Sequence, residues 1–294
     1  PGRVGARRAV EPPAGRGWAR LMAAIAAANG SGRPLPARLA ERLRDYLPAA
    51  AVFGGGLLVW QLATMGGGRR VLPPPTDIVD ALGTNSSLLL QSTANTYIEA
   101  LGGLAIGTLA GVVVAFSTAR WVTARSALLP LAIAANSIPI IAIAPILNNW
   151  FGVLNPVSKM MMAALLVFFP VMINVTRGLV NVEPAALELM RSYASSEWTV
   201  LRRVRVPNML PFFFTALKVA TTLAFIGAIV GEYFGGTSEV LGRVILTSMS
   251  SGSFDVAWAG IILGALGAIV AYLAVVLVER LAIPWFRSFR TGEP

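Results

Sequence analysis

The sequence contains no cysteine and no histidine. Without thiols there are no disulfides and no thiolate nucleophile; without imidazole there is no physiological general base of that kind. A His/Cys metal site and a Ser-His-Asp triad are excluded by the same absences. Charge is scarce as well, at 13% of residues, where average chains carry roughly 25%. The fourteen Asp and Glu residues are scattered, with no calcium-loop spacing of the DxDxDG kind. No GxxxxGK[ST] phosphate loop occurs, and the glycine clusters at 54–56 and 66–68 lack the required Lys and hydroxyl residue. The expectation is a chain that is not an enzyme and holds no cofactor or metal of its own.

What is present is apolar. Hydrophobic residues make up 55% of the 294 and mean hydropathy is +0.68. They fall in long runs at 49–66, 98–118, 126–147, 159–176, 210–232 and 257–279. A bilayer core needs about 20 apolar helical residues, so these predict an all-α membrane protein with six transmembrane helices. The first run is the weakest, interrupted by three glycines, and the last is the clearest. The net charge of +10 is mostly Arg outside the runs, which is a topology signal rather than a nucleic-acid footprint. Nineteen Arg fall on one side of six alternating spans; Arg69, Arg70, Lys159 and Arg243 fall on the other. The positive-inside rule then predicts cytoplasmic N- and C-termini.

The expected organisation is a basic tail (1–48), a six-span domain (49–285) and a short cytoplasmic tail (286–294). In the first tail, Trp18–Ala28 follows Arg7, Arg8 and Arg16 and precedes a small-residue Ala26-Ala27-Ala28 site. The charge count favours an interfacial helix there over a processed leader. Gly103, Gly107 and Gly111 form two overlapping small-xxx-small steps. Gly260, Gly264 and Ala268 form another set, and both predict close helix packing within the chain before any dimer seam. Pro130, Pro139, Pro145 and Pro170 interrupt the middle spans, which points to a translocation path near the third to fifth. Glu99, Lys218 and Glu232 lie near enough to span ends to snorkel or sit at an interface. No proton relay or Arg ladder is seen at depth, so the energy for moving a solute is expected from elsewhere.

One loop exceeds what a connector needs. Between Val180 and Pro211, Glu183-Pro184 marks a helix start. Ala186, Leu189, Met190 and Tyr193 then recur at i, i+3, i+4 and i+7, one face of a short amphipathic helix. Ser195-Ser196-Glu197 breaks it. Ser196 can cap a second helix from Trp198 to Arg205, which Pro207 is expected to end. The pair reads as a knob that docks into a partner's groove, against the plainer reading of a solvated basic loop or membrane-surface helix.

These residues resemble the EAA loop (180–209) of permease subunits of bacterial ATP-binding-cassette importers. The family pattern is E-A-A-x3-G, nine residues, then I-x-L-P. Glu188 takes the Glu, Leu189 and Met190 the two Ala, Ala194 the Gly, and Val204, Val206 and Pro207 the final element. The likeness extends over about residues 50–285. Ile138-Pro139, Ala144-Pro145, Trp150-Phe151-Gly152 and Ser158-Lys159 are similar to a run in nitrate/sulfonate/taurine-type permeases. Phe169-Pro170, Gly231-Glu232, Leu241-Gly242, Glu279-Arg280 and Pro284-Trp285 follow the same family.

The resemblance implies the type I ABC importer permease fold and a multi-pass protein of the bacterial inner membrane. It implies pairing with a second copy or a paralogue, two cytoplasmic ATPase subunits that bind ATP and Mg, and an extracytoplasmic solute-binding protein. Ala185, Glu188, Leu189, Arg191, Tyr193, Ala194 and Pro207 are the implied ATPase-coupling residues. Asn136, Ser137, Asn148, Asn149 and Glu232 are candidates to line the pathway, with helix–helix hydrogen bonding as the plainer alternative for the Asn and Ser residues. For the solute, the Gly231–Gly236 stretch and the Glu279–Trp285 tail incline towards a vitamin or pyrimidine precursor such as riboflavin. Sulfonate, taurine or nitrate come next. The competing functions are a secondary transporter or channel and a membrane scaffold without transport.

Overall fold

A computed structural model describes residues 35–66, 71–120, 130–132, 134 and 138–284, with the side chains of 35–46 and 120 left aside. Contacts divide the chain into two units, 1–62 and 63–294. The described part of the first is the bulk of a long helix, α1 (Leu35–Thr64), which contains Pro48. Helix therefore begins well before the expected start of the first span at 49. The Trp18–Ala28 segment lies outside the described residues.

The second unit comprises α2 (Pro75–Thr84), α3 (Ser86–Arg120), α4 (Ile140–Phe151), α5 (Pro156–Val180), α6 (Pro184–Ser192) and α7 (Glu197–Val200). It continues with a π-helical turn (Leu201–Arg205), α8 (Val206–Phe234), α9 (Leu241–Ser251) and α10 (Phe254–Ala282). Among the described residues, five helical segments are long and apolar enough to cross a membrane, namely Leu47–Thr64, Ser86–Ala119, Pro156–Val180, Glu197–Phe234 and Phe254–Ala282. The expected third span (126–147) is described only in part, and its helix α4 has twelve residues.

α5 is the central element, packed along α3 on one side and α8 on the other, while α10 lies on α8, α9 and α2. Val167, Val171, Val175 and Leu179 of α5 are fully buried in one apolar cluster that also holds Ala216, Ala220 and Ala224 of α8. The α3–α5 seam follows one stripe of α3. Ser92, Thr96, Glu99, Gly103, Gly107, Gly111, Ala115 and Thr118 are all buried, at the three- and four-residue steps of one helix face. In the middle of the stripe, a Cβ on Gly103 would lie 2.7 Å from the carbonyl oxygen of Met160. On Gly107 it would lie 2.5 Å from that of Ala164, and on Gly111 2.9 Å from that of Phe168. Only glycine permits this backbone approach, and van der Waals packing of this kind holds helices together where lipid removes the hydrophobic drive. At one end of the seam, Thr118 Oγ1 lies 3.2 Å from Thr176 Oγ1.

The second small-residue set also packs within the chain. A Cβ on Gly260 would meet Ile245 of α9, and one on Gly264 would meet Ile229 of α8, each at 3.0 Å. Tyr97 of α3 reaches across to donate to the Leu263 carbonyl at 2.7 Å and stands edge-on to Phe225, with ring centroids 5.2 Å apart.

Candidate functional site

Two constellations sit at opposite ends of the second unit, since α5 runs from one to the other and α8 runs back. The first is the loop between them. Pro184 occupies the first turn of α6, where its missing N–H has no helical partner to lose, and the helix runs to Ser192. Its stop is a Schellman motif: Ser195 N–H donates to Met190 O at 3.1 Å and Ala194 N–H to Arg191 O at 2.9 Å. That motif needs a left-handed residue, and Ala194 supplies it at φ 48°. The turn expected from glycine is thus made by alanine. Ser196 accepts from Thr199 N–H at 3.3 Å and caps α7 as anticipated.

The expected stop at Pro207 is not there. The helix passes from α7 through the π-helical turn into α8 without a break, with Val206 N–H bonded to Leu201 O. Proline lacks the donor and its ring crowds the carbonyl four residues back; the wider π turn accommodates both. Pro207 lies in the first turn of α8. Asn208 is the clamp that sequence reasoning missed. Its side chain donates to Gly178 O at 2.8 Å and Asn181 O at 3.0 Å, tying the two ends of the loop together.

On this frame Ala186 and Met190 are half-buried, whereas Ala185, Glu188, Leu189, Arg191, Tyr193 and Ala194 are exposed. Leu189 is 56% exposed, Tyr193 73% and Trp198 68%. A large leucine and two aromatics held outward on a capped, clamped helical pair make an apolar knob with a charged rim of Glu188 and Arg191. Trp198 belongs to it by exposure, which its place at a helix start did not reveal.

The second constellation lies at the far end. Glu99 and Glu232 are 5% and 0% exposed, and Lys159 is 0% exposed. The snorkelling expected of the two glutamates does not occur, because partners are within reach inside the bundle. α3 begins at Ser86, so Glu99 lies well inside it rather than opening the span. Lys159 donates to the carbonyls of Val153 and, at 3.3 Å, Asn155. Glu232 Oε2 accepts from Gly242 N–H at 2.5 Å. Thr96 Oγ1 accepts from Leu241 N–H at 2.9 Å. Glu99 Oε2 and Glu232 Oε1 have no hydrogen-bond partner among the described residues. Lys218 does not snorkel either; it pairs with Glu279.

The pathway candidates divide. Asn148 is buried at the end of α4, where its Nδ2 would stand 3.0 Å from a Cβ on Gly235, and its Oδ1 is without a partner among the described residues. It therefore closes on the same end of the unit as Glu232. Asn149 is exposed. Asn136 and Ser137 lie outside the described residues. No group of three metal-ligating side chains occurs among the described residues.

Comparison with known proteins gives a consistent result. The family described as binding-protein-dependent transport system inner membrane component matches residues 107–285. A probable ABC transporter permease protein of Haemophilus influenzae is 35% identical over 216 residues, 72% of this chain and 86% of that one. The formylaminopyrimidine transport permease protein ThiX of Halalkalibacterium halodurans is 31% identical, covering 78% of this chain and 92% of its own. The riboflavin transport system permease protein RibX of Chloroflexus aurantiacus is 31% identical, covering 79% and 87%.

Proposed function

The chain belongs to the family of binding-protein-dependent transport system inner-membrane components, and on that premise we propose that it forms the translocation pathway of an ATP-driven importer. It is a multi-pass inner-membrane protein, similar to permease subunits of ABC transporters. In the proposed assembly it has six spans with both termini in the cytoplasm and pairs with a second copy or a paralogue. Two separate ATPase subunits bind ATP and Mg, and an extracytoplasmic binding protein delivers the solute. The solute class favoured is a heterocyclic vitamin or pyrimidine precursor, which the names of two relatives support.

The single observation that carries the reading is the apolar knob on α6 and α7. Exposed aromatic and leucine side chains are costly to leave in water, and carried outward on two short capped helices they fit a partner's groove. Leu189, Tyr193 and Trp198 fill the groove, Glu188 and Arg191 rim it, and Ala185, Ala194 and Pro207 shape the frame. Asn148 and Glu232, with Asn136, Ser137 and Asn149, belong to the pathway end. ATPase closure then moves the loop as a rigid body and alternates access.

The test is co-purification in detergent followed by an ATPase assay. An ATPase should come with the wild-type chain, and Glu188→Lys or Leu189→Asp should lose it while the permease stays in the membrane. Loss of such an anchor removes about 2 kcal/mol or more of interface energy. Equal ATPase recovery with both variants would overturn the docking role. Solute flux in liposomes holding this chain alone would favour a secondary transporter or channel instead.

A further inference from the structure

The amphipathic helix α9 is held at its beginning by bonds that come from two neighbouring helices. From α3, Gln91 Nε2 donates to Glu239 Oε2 at 2.8 Å and Asn95 Nδ2 to Glu239 O at 2.7 Å, both at the surface. Deeper on the same helix, Thr96 accepts the Leu241 N–H. From α8, Glu232 accepts the Gly242 N–H. The first N–H groups of a helix have no internal acceptor, and here the first two of α9 are satisfied from two different helices. The fit is close: a Cβ on Gly242 would lie 2.6 Å from Glu232 Cβ and 2.7 Å from Ile229 O.

Lys159 performs the matching task for a second segment. It stands in the first turn of α5 and bonds to the carbonyls of Val153 and Asn155 in the turn before that helix. It packs on the end of α8, since a Cβ on Gly231 would meet Lys159 Cγ at 3.2 Å. Lys159 of α5, Glu99 of α3 and Glu232 of α8 are all buried at this end, and Lys159 and Glu232 each reach outward to loop or helix-start backbone. Low local dielectric strengthens these bonds and makes each unpaired member costly.

We infer that Thr96, Glu99, Lys159 and Glu232 form a buried polar joint fixing α9 and the 153–155 turn to the ends of α3, α5 and α8. A movement of those three helices is thereby transmitted to α9. The inference rests in part on the importer reading, because the movement it transmits is the one driven from the α6–α7 knob at the other end of α5 and α8. Thr96, Glu99 and Lys159 are positioning residues that need not touch the solute, and Glu232 serves the joint through its bond to the Gly242 N–H.

Hydrogen–deuterium exchange on the full chain in nanodiscs tests the joint without any partner. Thr96→Val with Glu232→Gln should speed exchange across 241–251 by about tenfold or more, the equivalent of losing one bond to a charged group, and leave 184–200 unchanged. Thr96→Ser keeps the hydroxyl and should restore slow exchange. Unchanged exchange at 241–251 in the double variant would overturn the joint. The second arm adds the co-purified ATPase and its binding protein. Thr96→Val alone, which leaves the pathway candidate Glu232 in place, should lower the binding-protein-stimulated turnover at least about tenfold by the same arithmetic while keeping basal turnover. Faster exchange with full stimulation would overturn transmission. If no ATPase comes with the chain, the importer reading fails, and the exchange experiment still decides the joint.

Discussion

Lys218 on α8 donates to both carboxylate oxygens of Glu279 on α10, at 3.0 and 2.9 Å. The two side chains are about a quarter exposed, so the pair sits between a solvent-screened and a fully buried bridge. It joins helices that otherwise meet through apolar and small side chains, and it explains how a lysine is tolerated inside an apolar span.

Breaking this pair from one side should cost more than removing it whole. Lys218→Met and Glu279→Gln are each expected to destabilise the protein by roughly 1–2 kcal/mol, between the surface and buried limits. The double variant should recover part of that loss. Thermal unfolding of the three variants in one detergent, analysed as a cycle, measures the coupling; additive losses would show that the pair contributes nothing.

The glycine seam makes a contrasting prediction at two positions of the same unit. Gly107→Ala places a methyl 2.5 Å from a backbone oxygen, and overpacking of this kind costs about 1–3 kcal/mol. Gly83→Ala, where nothing lies within 4 Å, should be neutral or stabilising. Size-exclusion profiles and melting temperatures would separate them. Equal behaviour would mean that α3 and α5 are not in this contact.

Ala194 holds a left-handed conformation that costs an L-residue about 1–2 kcal/mol. Ala194→Gly relieves that strain and gives back about 0.4–1 kcal/mol in unfolded-chain entropy, for an expected net gain near 0.5–1 kcal/mol. The measure is protease resistance of the α6–α7 loop. Ala194→Val should move it in the opposite direction.

Asn208 carries two bonds to the far side of the loop. Asn208→Leu leaves two carbonyls without that donor and is expected to cost about 1–3 kcal/mol locally. The knob's own residues are untouched, so ATPase recovery should persist while its stimulation falls. Loss of recovery and stimulation together would place Asn208 in the docking surface instead.

Five of the six expected spans coincide with long apolar helices, legible because membrane crossing is a matter of composition and length. The glycine stripe was legible because a four-residue step fixes a helix face before any partner is known. The α6 start at Pro184 and the cap at Ser196 follow from local backbone chemistry. Other features depended on what a helix meets. Pro207 reads as a stop in one dimension, yet the π turn before it lets the helix continue. Asn208 looks like an ordinary loop residue until Gly178 and Asn181 are brought beside it.

The sequence by itself determined a chain of apolar helices with a structured knob and no catalytic equipment of the kinds that need His or Cys. These are properties of residue types and of their spacing along one helix. Only the tertiary structure decided that Glu99, Lys159 and Glu232 meet in the interior. They lie on three helices and are separated by long stretches of chain, so no local pattern links them. Burial of Lys159 and Glu232 is offset where that convergence brings them the Val153 and Asn155 carbonyls and the Gly242 N–H as partners.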